Sequence, residues 1–147
     1  MKLGRLNHVG VATPSITKAI AFYRDVMGAS VVTEPFDMPE QEVKVCFVHT
    51  PGHGGSEGTQ IELIEPIGAS KGIRAFLEKN PAGGQHHLCY EVTEIHAARD
   101  AFLAMGKRVL GEIRIGAHGT PIFFLHPKDM GGVLTEIMET PQAGAGH

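Results

Sequence analysis

Gly83–Val92 reads GGQHHLCYEV, and its reading decides the fold. Pro81-Ala82-Gly83-Gly84 breaks the chain just before two histidines that open an apolar run. Strand periodicity puts His87, Cys89 and Glu91 on one face and His86, Leu88 and Tyr90 on the other. A single strand histidine is more often a hydrogen-bonded structural residue than a ligand. The arrangement occurs twice in this chain, however.

Leu3–Ala12 also alternates as a strand, with His8 on the face of Leu6 and Gly10. His8 precedes Ile16, where helical spacing begins, by the same eight positions that separate His87 from Ile95. The stripe Ile16, Ala19, Ile20, Tyr23, Met27 predicts a helix with Ser15 as N-cap and Gly28 at its end; Ile95, Ala98, Phe102, Met105 predicts its counterpart, ended by Gly106. Strands are expected at Ala29–Phe36, Val43–His49 and Thr59–Glu65, then at Val109–Ile115, Ile122–His126 and Val133–Glu139. Thr50–Gly58 reads as a loop, with His53 in solvent. Ser70–Lys79 reads as a short amphipathic helix before the linker at Asn80–Gln85. Each half is thus strand, helix and three strands, a βαβββ module, and Glu62-Leu63-Ile64-Glu65-Pro66 is echoed by Glu136-Ile137-Met138-Glu139-Thr140-Pro141.

The fold class expected is α+β, two such modules forming an open, incompletely closed mixed β-barrel around a metal site. One domain spans 1–140: module one at 3–66, a connecting helix and linker at 67–84, and module two at 85–140. A flexible tail follows at 141–147.

Composition narrows the partners. The 147 residues carry a formal net charge of −3 and no basic cluster, which argues against an electrostatic grip on nucleic acid. An anionic ligand must therefore be held locally, by a few placed cations or a metal. The two cysteines, Cys46 and Cys89, lie in separate segments without metal-type spacing, so a reducing compartment is expected, cytoplasm or organelle matrix. The first residues lack the apolar run of a signal peptide, and no segment approaches a membrane span.

The repeat places His8 and Glu62 on the first and last strands of module one, and His87 and Glu136 at the equivalent positions of module two. Two imidazoles and two carboxylates suit a divalent first-row ion, with Co²⁺ taken first and Mn²⁺, Ni²⁺ or Zn²⁺ as alternatives. Burying two carboxylates together is costly without a compensating cation. The alternative places both glutamates in solvent on amphipathic edge strands.

The order of His in LNHVGVA, Glu in IELIEP, His in GGQHHLCYEV and Glu in FLHPKDMGGVLTEI resembles the vicinal-oxygen-chelate superfamily, and within it the methylmalonyl-CoA epimerase family. The resemblance runs from about Leu3 to Glu139. It implies paired βαβββ modules in a homodimer and an acyl-CoA substrate, methylmalonyl-CoA. The activity implied is epimerisation at C2 by proton abstraction through an enolate stabilised by the metal. It also implies the four-residue metal set, with Glu136 as catalytic acid or base as well as ligand. Some members carry a second glutamate after an EQGV motif; here Val45 falls at that position, and Glu42 and Glu62 are the alternatives. His118 and Lys128 are open as substrate contacts, while His49, His96 and His126 read as structural or surface. Two rivals share the superfamily: a glyoxalase I type isomerase with the same ligand set, and a ligand-sequestering module without a metal.

Overall fold

The structure is a computed structural model that describes residues 1–141. Among them are eight strands and three α-helices. The chain divides into two compact units, one holding residues 8–86 and the other residues 1–7 with 87 onward.

The first unit follows the expected module. Strand β1 (Leu6–Ala12) leads into α1 (Ile16–Asp25), then β2 (Phe36–Met38), β3 (Val43–Val48) and β4 (Gln60–Pro66), with α2 (Lys71–Lys79) after them. The strands lie in the order β2-β3-β4-β1. β4 is antiparallel to β3 and parallel to β1. The α1 side of this sheet buries Ile16, Cys46, Val48 and Leu63. Alternate residues put Val45, Phe47, Glu62 and Ile64 on the opposite face.

The second unit repeats the plan. β5 (Gly84–Val92) leads into α3 (Ile95–Ala104), β6 (Val109–Ile115), β7 (Pro121–Leu125) and β8 (Thr135–Glu139). Their order is β5-β8-β7-β6, with β5 and β8 parallel and the other pairs antiparallel. Ile95, Ala98 and Phe102 of α3 pack on Phe123, Leu125 and Ile137. The opposite face carries Cys89, Ile122 and Met138 with Phe124 beside them.

α1 starts at the expected cap, and α3 starts after a cap that the sequence pattern did not single out. Ser15 caps α1 by accepting from the Lys18 amide, and Glu94 caps α3 by accepting from the amides of His96 and Ala97. The repeat supplies a second acceptor at each start. A carboxylate oxygen of Glu65 takes the Ile16 amide at 2.8 Å, and one of Glu139 takes the Ile95 amide at 3.2 Å. The last strand of each module is thereby tied to the helix that follows its first strand. Gly106 holds a positive φ of 76° at the end of α3, where Lys107 donates to the Phe102 carbonyl.

Two expectations are corrected. Ala29–Phe36 is not a continuous strand: the Thr33 amide donates to the Phe47 carbonyl of β3 and the Val31 carbonyl accepts from His49 just past it, but the Phe47 amide turns to the Thr33 hydroxyl and Pro35 has no amide to give. Regular pairing resumes only at Phe36–Met38. Met27 and Met105 do not extend the helix stripes, since α1 and α3 end at Asp25 and Ala104 and leave them 62% and 56% exposed. The tail expected at 141–147 lies, beyond Pro141, outside the described residues. No helix of the described residues is long and apolar enough to cross a membrane.

Candidate metal centre

His8 and Glu62 face each other within the first unit because β1 and β4 are parallel neighbours. Register pairs His8 with Gln60 and Gly10 with Glu62, so the glutamate stands two positions along on the same face, beside a residue with no side chain. His8 Nε2 lies 3.6 Å from a Glu62 carboxylate oxygen, with the two residues 2% and 7% exposed. Phe47, the register partner of Glu62, meets the His8 ring edge to face at 6.5 Å between centroids.

The second unit copies this in detail. Cys89 pairs with Glu136, and His87 Nε2 lies 3.0 Å from a Glu136 carboxylate oxygen, the residues being 4% exposed each. Phe124, the register partner of Glu136, meets the His87 ring edge to face at 5.4 Å. The alternative of solvent-facing glutamates is therefore removed for both.

Each of His8, Glu62, His87 and Glu136 offers one ligand atom, and these atoms all lie within 4.8 Å of one another, a group that could hold a metal ion. The donor set fits such an ion. Two nearly buried carboxylates beside two imidazoles are electrostatically costly without a cation, and nitrogen with carboxylate oxygen is the donor chemistry of divalent first-row metals.

The remaining candidates fall elsewhere. Val45 is 2% exposed and apolar, so no carboxylate occupies that point of β3. Glu42 takes a positive φ of 57° and accepts the Ala69 amide at 2.8 Å, which commits it to the turn before α2. His118 is not a solvated loop residue: it is 6% exposed, with Nε2 2.9 Å from Asn7 Oδ1. Asn7 donates at 2.8 Å to Glu91, which also takes Arg5 Nε at 2.7 Å. Because the Asn7 nitrogen is committed to a carboxylate, its oxygen faces His118 and the imidazole Nε2 is the donor. Lys128 is exposed and His53 is exposed, while His126 Nδ1 accepts the Lys128 amide within a turn.

The sequence reading missed Phe47 and Phe124, the rings that brace the two histidines. Their signal was present as the echo Phe47-Val48-His49 and Phe124-Leu125-His126 on the middle strand of each module.

Comparison with known proteins agrees with this geometry. The profile of the glyoxalase/bleomycin resistance protein/dioxygenase superfamily matches residues 7–124. The chain is 51% identical over 137 residues to the ethylmalonyl-CoA/methylmalonyl-CoA epimerase of Cereibacter sphaeroides, covering 92% of this chain and 97% of that one. It is 50% identical over 137 residues to the mitochondrial methylmalonyl-CoA epimerase of Mus musculus, covering 92% and 73%. A variant of the Streptomyces coelicolor methylmalonyl-CoA epimerase, solved in complex with 2-nitronate-propionyl-CoA, superposes with a TM-score of 0.84 at 31% identity, covering 96% of this chain and 100% of that one. The chain belongs to the glyoxalase/bleomycin resistance protein/dioxygenase superfamily and, within it, to the family of the methylmalonyl-CoA epimerases.

Proposed function

We propose that this protein is an isomerase that interconverts the (R) and (S) forms of methylmalonyl-CoA by removing and returning the proton at C2. The observation that carries the reading is the buried His/Glu/His/Glu group in a chain half identical to epimerases of that substrate. A substrate with a carboxylate and a thioester carbonyl on one carbon matches a centre that binds vicinal oxygens. Ethylmalonyl-CoA is a second substrate on the same reading, by likeness to the Cereibacter relative.

His8, Glu62, His87 and Glu136 are the proposed ligands, with Co²⁺ the first ion to test. When bound, a divalent ion supplies the positive charge that polarises the thioester carbonyl and acidifies the C2 proton. Glu136 is the proposed base, its carboxylate accepting that proton. Glu42 is committed to Ala69 and Val45 is apolar, which leaves Glu62, the repeat mate of Glu136, as the second proton carrier. The edge-on rings of Phe47 and Phe124 restrict how His8 and His87 can turn. A homodimer is part of the proposal: Phe22, Val26 and Met27, exposed at the end of α1, are apolar surface it would cover. A monomeric mass by sedimentation would remove that element.

The test is C2 deuterium exchange of methylmalonyl-CoA in heavy water, with the Co²⁺-loaded protein and its Glu136→Gln variant. Exchange is expected in the wild type, to be lost on chelation, restored by Co²⁺, and reduced at least 100-fold in the variant. Undiminished exchange in Glu136→Gln removes that residue as base. Turnover of a glutathione hemithioacetal without acyl-CoA exchange would instead make the protein a glyoxalase-type isomerase. Absence of any bound divalent ion, with neither activity, would make it a sequestering module.

A further inference from the structure

The two modules differ at one point where the repeat demands only a cover for a ring. In module one, Phe36 is the register partner of Val45 and lies 6.2 Å from Phe47, the ring that braces His8. In module two the equivalent residue, the register partner of Ile122, is Arg114. Its guanidinium carbon stands 5.2 Å from the centroid of Phe124, the ring that braces His87. A phenylalanine meets the packing need in module one, so the charge at Arg114 calls for another reason.

The backbone is shaped to deliver that charge. Leu110 pairs with Phe124 and Arg114 with Ile122, so Gly111, Glu112 and Ile113 together face one residue of β7. Gly111 holds a positive φ of 76°, and this bulge on the edge strand shifts the register so that Arg114 stands opposite Ile122, on the sheet face of Phe124, Glu136 and His87. One guanidinium nitrogen, Nη1, donates to the Glu112 carbonyl at 3.1 Å. Among the described residues no carboxylate forms an ion pair with Arg114, and it is exposed. A cation held by a ring and a carbonyl, with Nε and Nη2 making no hydrogen bond among the described residues, is equipped to take an oxyanion. In a chain of net charge −3, such a cation beside the candidate metal centre is where an anionic substrate gains most.

We propose that Arg114 binds an anionic group of the acyl-CoA substrate and determines affinity for it. The inference rests on the epimerase reading above. The anion is the C2 carboxylate or a phosphate of the CoA moiety; the chemistry, a guanidinium on an oxyanion, is the same for both.

The test compares wild type, Arg114→Gln and Arg114→Lys with methylmalonyl-CoA and with methylmalonyl-pantetheine, which keeps the carboxylate and lacks the phosphates. Arg114→Gln is expected to raise KM for methylmalonyl-CoA about tenfold with kcat within about twofold, and Arg114→Lys to recover part of the loss. The wild-type KM should rise with ionic strength more steeply than that of Arg114→Gln, a readout that lost packing alone would not move. The same rise with the pantetheine substrate supports the carboxylate as the anion; a rise confined to the CoA substrate supports a phosphate. An active wild type whose KM for both substrates is unchanged in Arg114→Gln overturns this inference alone. A wild type inactive on methylmalonyl-CoA overturns the epimerase reading and this inference with it.

Discussion

Glu65 and Glu139 close each module onto the start of its helix, and truncating them measures that closure. Glu65→Ala removes an acceptor 2.8 Å from the Ile16 amide, the first amide of α1. A hydrogen bond to a charged group contributes about 1.5–3 kcal/mol, and a negative charge at a helix start about 0.3–1 kcal/mol. Glu65 is half-buried, so water relieves part of the loss, and about 1.5–2 kcal/mol is expected. Glu139→Ala should cost less, about 1 kcal/mol: its bond to Ile95 is longer at 3.2 Å, and Glu94 keeps a carboxylate on the same first turn. Glu65→Gln retains an acceptor oxygen and loses the charge, for about 0.5–1 kcal/mol. Urea unfolding of the metal-free proteins reads these values, with the slope m unchanged if only native contacts are lost. The epimerase assay should be nearly indifferent to Glu65→Ala, because Glu65 bonds α1 while Glu62 faces His8. A cost below about 0.5 kcal/mol for Glu65→Ala, or a larger one for Glu139→Ala, refutes the capping account.

Two further outcomes follow from buried and paired ionisable groups. Burial pushes the Cys46 thiol up to about 11, and Cys46 and Cys89 are both fully buried. A thiol-reactive disulfide at pH 8 should therefore leave both unmodified in the native protein and titrate both after denaturation; rapid labelling of the native form would contradict this. Arg108 holds the Asp129 carboxyl well below its usual range, through its side chain at 2.8 and 3.1 Å and its amide at 2.9 Å. A lowered folded-state pKa contributes stability that is present above the unfolded value of 3.8 and is lost as pH falls below it. Asp129→Asn should thus melt earlier than wild type at pH 7, and the gap should narrow as the pH drops through 3.8. A gap constant down to pH 2 would refute the assignment.

The repeat was legible because its candidate ligands sit on strands whose period is two and whose helices start at matching offsets. His8, Glu62, His87 and Glu136 could be named from that pattern alone, since parallel pairing of the first and last strands forces histidine and glutamate to one face. The edge strands were harder. Val31-Val32-Thr33 has strand chemistry, but Pro35 and a side-chain acceptor at Thr33 interrupt the ladder, a matter of hydrogen-bond supply that side-chain patterning does not report. Arg114 was invisible for a related reason: two residues inserted in β6 decide which residue of β7 it stands against, and alternation along β6 reports its face but not its register. The glycines flanking His118 leave it open between a substrate contact and a solvated loop residue, whereas its burial depends on Asn7, 111 residues away in the chain.

The segment ahead of His8 also sets a timetable for folding during synthesis. Residues 1–7 belong with the unit that begins at residue 87, and Arg5 bonds Glu91 across 86 positions. At about 5–20 residues per second, the ribosome needs roughly 4–17 s to deliver that partner. Through this interval residues 8–86 can fold as one unit while residues 1–7 await the strand they join, so the part of the chain made earlier is completed by the part made later.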